Sequence, residues 1–153
     1  TIDEFLDWSL PFLTKAGVIT GSADEIALVK LALPLIQERI IMLSEVPAML
    51  KFLFVKNFAV EADSVAKITD DASKQVLERS LKELELLATW THESIEAALR
   101  SSLIEEMGLK PRIAFGAVRI ATTGSTISPP LFESMELLGK EASLARIRAG
   151  IKL

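Results

Sequence analysis

The sequence contains no cysteine, no tyrosine and a single histidine, His92. Without thiols there is no disulfide scaffold, no thiolate metal site and no cysteine nucleophile. One imidazole excludes a histidine-rich metal centre and a two-histidine mechanism. No Walker-type phosphate loop, no Gly-x-Gly-x-x-Gly and no Gly-x-Ser-x-Gly occurs, and Gly116 and Gly124 stand isolated. Long hydrophobic runs are missing too. The most apolar stretch, residues 26–43, is interrupted by Lys30, Pro34, Gln37, Glu38 and Arg39, whereas a membrane-spanning helix needs about 20 apolar residues. No basic stretch followed by an apolar one opens the chain, so no secretory leader is expected, and the Thr start fits a piece of a longer protein. These absences point away from a free-standing enzyme: no catalytic, cofactor-binding or metal-binding residue is assigned.

What remains is a chain of 153 residues, 50% apolar and 25% charged, enough for one compact helical unit or two small ones. Apolar residues recur at spacings of three and four, as in Leu77, Leu81, Leu84, Leu87 and in Ile95, Ala98, Leu99, Ser102, Leu103. No strand-like alternation persists and no Asn-Gly or Asp-Gly hairpin signal appears. The expected fold class is all-α. A first helix over 2–15 should be bent or split by Pro11 and stopped before Gly17. Ser22 with Glu25 forms a capping box ahead of a stretch that Pro34 should divide into 24–33 and 34–43. Ser44 and Pro47 suit the start of a helix to about 55. A connection over 56–70 should hold a short helical piece near 61–66. Asp70 or Asp71 suits the cap of a helix to Trp90, and Thr91 the cap of 92–107, closed by Gly108. Helices over 111–122, 131–138 and 140–149 complete the reading, with loop material from Gly124 to Pro130. The boundary between two helical subdomains is placed near 70, giving 1–70 and 71–153.

Charge is unevenly spread. The net charge is −4, but residues 1–107 carry 10 basic against 18 acidic side chains, and residues 108–153 carry 7 against 3. A basic end on an acidic chain marks either a polyanion-binding surface or a solvated helix face. Other chemistry-bearing residues read as structural. His92 reads as an exposed first-turn residue, and Asp70-Asp71 as a helix start favoured by the macrodipole. Glu105-Glu106 reads as a solvated face, and Trp8 and Trp90 as core. One segment differs: Arg119 on a helix, a glycine-containing loop, then Ser128 and Leu131 at the entry of a second helix. The first-turn amides of Leu131, Phe132 and Glu133 lack helical partners and suit anions or base carbonyls. An arginine can contact a base edge or phosphate bidentately, and single-stranded RNA is read by such mixtures. The alternative for Arg119 is a surface ion pair with Glu133 or Glu136, worth about 0–1 kcal/mol.

The run Arg119-x-Ala-x-Thr-Gly124, Ser128-Pro-Pro-Leu131-Phe-Glu, Leu137-Leu-Gly139-Lys-Glu and Leu144-Ala-Arg146 resembles the C-terminal end of bacterial glutamyl-tRNA synthetases. Pro11-Phe-Leu, Gln37-Glu-Arg39, Phe52-Leu-Phe54 and Trp90-Thr fit the same family in the same order. Gly116-Ala117 depart from it, standing where Pro-Leu is common. The resemblance implies two packed helical subdomains forming an anticodon-binding cage, and a catalytic half, using ATP and Mg, outside this chain. It implies RNA contacts by Arg39, Arg119, Ser128 and Leu131, with Arg39 reading the last anticodon base; Arg112, in the basic end of the chain, is a further candidate RNA contact. It further implies a cytoplasmic monomer whose partner is the anticodon loop of tRNA(Glu), with no DNA and no membrane. The competing reading is a helical protein-interaction domain, its acidic first half the contact surface.

Overall fold

A computed structural model describes all residues, 1–153, and contains helices and turns with no strand. The chain divides into two units, Thr1–Asn57 and Phe58–Leu153. This division lies ahead of the boundary at 70 read from the sequence. Residues 58–70 fold with the second unit because Ile68, fully buried, and Val60 pack into its core.

The first unit holds α1 (Ile2–Lys15), α2 (Ala23–Ile36) and α3 (Val46–Leu50), with single 3₁₀ turns at Leu43–Glu45 and Lys51–Leu53. Thr1 and Ser22 each form a capping box with the glutamate three residues on. Neither proline breaks its helix: α1 runs through Pro11, and α2 runs through Pro34 to end at Ile36 rather than dividing there. Packing holds both, since Leu13, Val29, Leu33 and Ile36 are fully or nearly fully buried. The helix expected from Ser44 to about 55 is a contiguous helical run over 43–53, made of a 3₁₀ turn, the short α3 and a second 3₁₀ turn. Trp8 is 57% exposed and is not a core residue.

The second unit holds α4 (Ala62–Val65), α5 (Asp71–Glu85), α6 (His92–Leu99), α7 (Pro111–Thr123), α8 (Leu131–Leu138) and α9 (Lys140–Ile151). Asp70 caps α5, which stops at Glu85 rather than continuing to Trp90. Thr91 caps α6, which widens into a π-helical segment over Arg100–Glu106 before Gly108 closes it at φ +69°. Helices α5, α7 and α9 form the centre. Gly150 in α9 allows their close approach: a Cβ there would lie 3.3 Å from Ala121 Cβ and from Leu77 Cδ1. Trp90, half-buried, donates its indole N–H to the Met135 carbonyl at 2.9 Å, so its polar edge is satisfied at the core's margin. No helix is long and apolar enough to cross a membrane.

Glu25 shows how a cap ties the fold to pH. Its carboxylate accepts from Ser22 N at 3.0 Å, Thr20 Oγ1 at 2.7 Å and Gly21 N at 3.1 Å. The Ser22 amide foremost, then the Thr20 hydroxyl, hold its pKa down to about 2. A depressed carboxylate stabilises the fold above its unfolded pKa and loses that contribution as pH falls through the folded value. Glu25→Gln is therefore expected to lower the melting temperature at neutral pH, with the difference from wild type shrinking below pH 4.5 and vanishing near 2. Melts recorded across that range check this; a difference constant with pH would contradict it.

Candidate nucleic-acid interface

The Arg119–Leu131 segment is built on α7. Lys110 holds an extended backbone before Pro111, whose missing N–H costs nothing at the first helical position. The helix ends where Gly124 adopts φ +84°. Only glycine suits that position, because a Cβ would also meet the Phe58 ring at 3.2 Å and the Ala59 carbonyl at 3.3 Å. The Gly124 carbonyl accepts from Glu61 N at 2.9 Å. The Thr122 carbonyl accepts from Arg146 Nη1 at 2.8 Å, and the Arg146 guanidinium stacks 3.8 Å over Phe58. Burial holds Arg146 down to about 10, so it stays charged at neutral pH. The turn after α7 is thus fixed by a glycine, a backbone bond and a half-buried arginine.

Arg119 reaches back across this loop. Its Nη1 donates to Ser128 Oγ and, at 2.9 Å, to the Pro129 carbonyl, while the Ser128 hydroxyl itself donates to that carbonyl at 2.7 Å. Of the two acids considered as a surface partner for Arg119, Glu133 and Glu136, the Glu136 carboxylate accepts from the His92 amide at 2.8 Å. Ser128 and Leu131 are buried, 5% and 3% exposed, and Leu131 belongs to the core. Neither presents its side chain as a contact surface in this structure. Ser128 holds the arginine, and Leu131 anchors the first residue of α8, which has no side-chain cap.

Arg119 and Arg112 line one groove of about 970 Å³ along α7. Its other lining includes Lys67, Asp70 and Ser73 from the segment around the start of α5, Thr126 from the loop, and the apolar Ile113, Phe115, Ala117 and Ile120 of α7. Gly116 also lines it, with open space where a side chain would stand. Phe115 is held between Arg100, 5.2 Å from its ring centroid, and the edge of Phe132 at 5.1 Å. Cations beside apolar surface in one groove are the combination that takes single-stranded nucleic acid: charge for the backbone, apolar surface for a sugar or base. Lys67 escapes sequence reasoning because it lies in a connecting segment far from α7 in the chain; its charge within an acidic half is the only available sign.

Arg39 belongs to the first unit and is exposed just beyond α2. The stretch after it is fixed by Glu45, whose Oε2 accepts from Ile41 N at 2.7 Å and Met42 N at 2.6 Å. These amides, Met42 first, hold the Glu45 carboxyl below its ordinary pKa. Glu45 is therefore committed to the backbone. His92, Glu93 and Glu136 bring potential metal ligands together, but His92 Nε2 lies 2.8 Å from Glu93 and Nδ1 3.3 Å from Glu136. A group built around an imidazole does not fit the oxygen-only preference of magnesium. The cluster acts instead as a pair of imidazole–carboxylate contacts that join the start of α6 to α8.

Ser128→Ala should loosen the Arg119 guanidinium, leaving its bond to the Pro129 carbonyl, while costing only about 1 kcal/mol of stability, the usual scale for a lost hydrogen bond. Side-chain ¹⁵N relaxation of Arg119 is expected to show increased motion in the variant. Identical relaxation would contradict the tether.

A family model described as an anticodon binding domain matches residues 4–151. Glutamate–tRNA ligase of Saccharopolyspora erythraea is 47% identical over 150 residues, covering 96% of this chain and 30% of the relative. The enzyme of that name from an Arthrobacter species is 45% identical, with the same coverage. The chain thus spans about a third of the length of these curated relatives. A crystal structure of a glutamate tRNA ligase from Elizabethkingia meningosepticum, in complex with its amino acid, superposes with a TM-score of 0.75. At 18% identity over 99% of this chain and 29% of that one, it shares the fold. With nearly every residue matched, from the first turn of α1 to the end of α9, the chain belongs to the anticodon binding domain family.

Proposed function

We propose that this chain is the anticodon-reading part of a glutamate–tRNA ligase and that it binds the anticodon loop of tRNA(Glu). The observation that carries the reading is the groove along α7, where a tethered Arg119 and the exposed Arg112 stand over an apolar floor. The family match and the names of the relatives support it. Arg119 contacts a base edge or phosphate, Arg112 neutralises backbone charge, and Ser128 and Leu131 act by fixing the loop. Arg39 reads the last anticodon base from its exposed position in the first unit. No bond is made or broken on these residues. The chain's part is to hold the tRNA, while ATP- and Mg-dependent aminoacylation belongs to the portion of the relatives' length beyond this span. A cytoplasmic monomer suits that role. The binding should be weak for this part alone and strongly salt-dependent, because much of it is phosphate neutralisation.

The test is a titration with an anticodon stem-loop of glutamate tRNA at low salt. Amide signals over 111–128 and around Arg39 are expected to shift. Arg119→Ala should weaken binding about 10- to 100-fold, the scale of a lost charged hydrogen bond. Unchanged spectra with the wild-type chain would overturn the reading.

A further inference from the structure

We propose that Lys67 is a third RNA-binding cation, contacting a phosphodiester of the single strand from the wall of the groove that faces α7. The inference rests on the tRNA reading above and names a residue that neither the family resemblance nor the chain's charge pattern assigns. Lys67 lies just beyond α4 and lines the same groove as Arg112 and Arg119.

Three observations carry it. The first is fixed backbone with a free head group. Lys67 N donates to the Ser64 carbonyl at 3.0 Å, and the Lys67 carbonyl lies 3.2 Å from Ser73 Oγ. Its neighbour Ile68 is fully buried. The main chain is therefore pinned while the exposed ammonium has no partner within the protein. The second is contrast with other cations of the unit. Arg79 pairs with Glu83 and Glu106, Arg100 with Glu96, and Arg148 with Glu85. Lys67 and Arg112 enter no such pair, as is also true of Lys82 outside the groove, so their charge is available to a ligand and it is position that singles out Lys67. The third is that the one carboxylate in the lining is already committed. Asp70 accepts from Ser73 N at 3.2 Å and from its hydroxyl at 2.6 Å as the cap of α5, and these bonds, the Ser73 hydroxyl foremost, hold its pKa down. Its charge faces the positive end of α5. The groove thus draws cations from two parts of the chain, α7 and the segment just beyond α4, beside apolar side chains on which a base or sugar can lie.

A cation that neutralises one phosphate of a single strand contributes about 0.7 to the slope of log K against log salt. The experiment measures binding of the anticodon stem-loop to the chain by fluorescence anisotropy over a series of salt concentrations. Wild type, Lys67→Ala, Lys67→Arg and Lys82→Ala are compared, Lys82 being a lysine of α5 outside the groove. Lys67→Ala is expected to weaken binding several-fold at low salt and to flatten the slope by about 0.7. Lys67→Arg should keep the wild-type slope, and Lys82→Ala should leave both unchanged. A wild-type slope in Lys67→Ala, or an equal change in Lys82→Ala, would overturn the proposal while leaving the tRNA reading standing. Failure of the wild-type chain to bind at low salt would instead remove the reading and the proposal together.

Discussion

The bond on which the rest of the interface depends is the one that Arg119 makes to its own loop. A free arginine on a helix samples many rotamers, and binding would have to freeze them at a cost of about 0.5–1.5 kcal/mol. Here the Pro129 carbonyl and the Ser128 hydroxyl take that cost during folding. The same bonds fix the loop between α7 and α8 to the helix that carries the groove. Arg146 does the matching work at the other end of the turn, holding the Thr122 carbonyl and the Phe58 ring. Two half-buried arginines thus have different tasks: one locks the turn, the other lines a groove.

Each unit reaches order by its own means. In the first, capping boxes at Thr1 and Ser22 and the Glu45 clamp fix the chain ends of short elements around a small core. A unit of that size buries a limited apolar area, so carboxylate–amide bonds have a large share in defining its loops. In the second, a core running from Ile68 to Ile147 is continuous across five helices, and Gly150 lets three of them meet. That core holds α7 and the segment before α5, both of which line the groove, in one body.

Helix content and most helix starts are legible in the sequence, because caps are local. Ser22 with Glu25, Asp70, Thr91 and Pro111 each mark a start that the structure shows. Helix ends and interruptions are less legible, because packing decides them. Pro34 leaves α2 whole, α5 stops before its apolar period runs out, and the stretch around Ser44 alternates 3₁₀ and α geometry. Trp8 reads as core by its residue type, yet most of it faces solvent. At the site, Arg112 and Arg119 share a face by their spacing of seven on one helix, and that much is visible in the chain. The inward turn of Ser128 and Leu131 is not, since a loop's side-chain directions depend on what it folds over. Lys67 is invisible for the same reason: its place beside α7 is a tertiary fact.

Photo-crosslinking tests the central claim most directly. An anticodon stem-loop carrying 4-thiouridine in the anticodon would be irradiated with the chain at low salt and the adducts mapped by mass spectrometry. Adducts within α7 and the loop over 124–130 are what a groove built around a tethered Arg119 predicts. Adducts confined to other faces of the chain, with none on α7 or that loop, would contradict it.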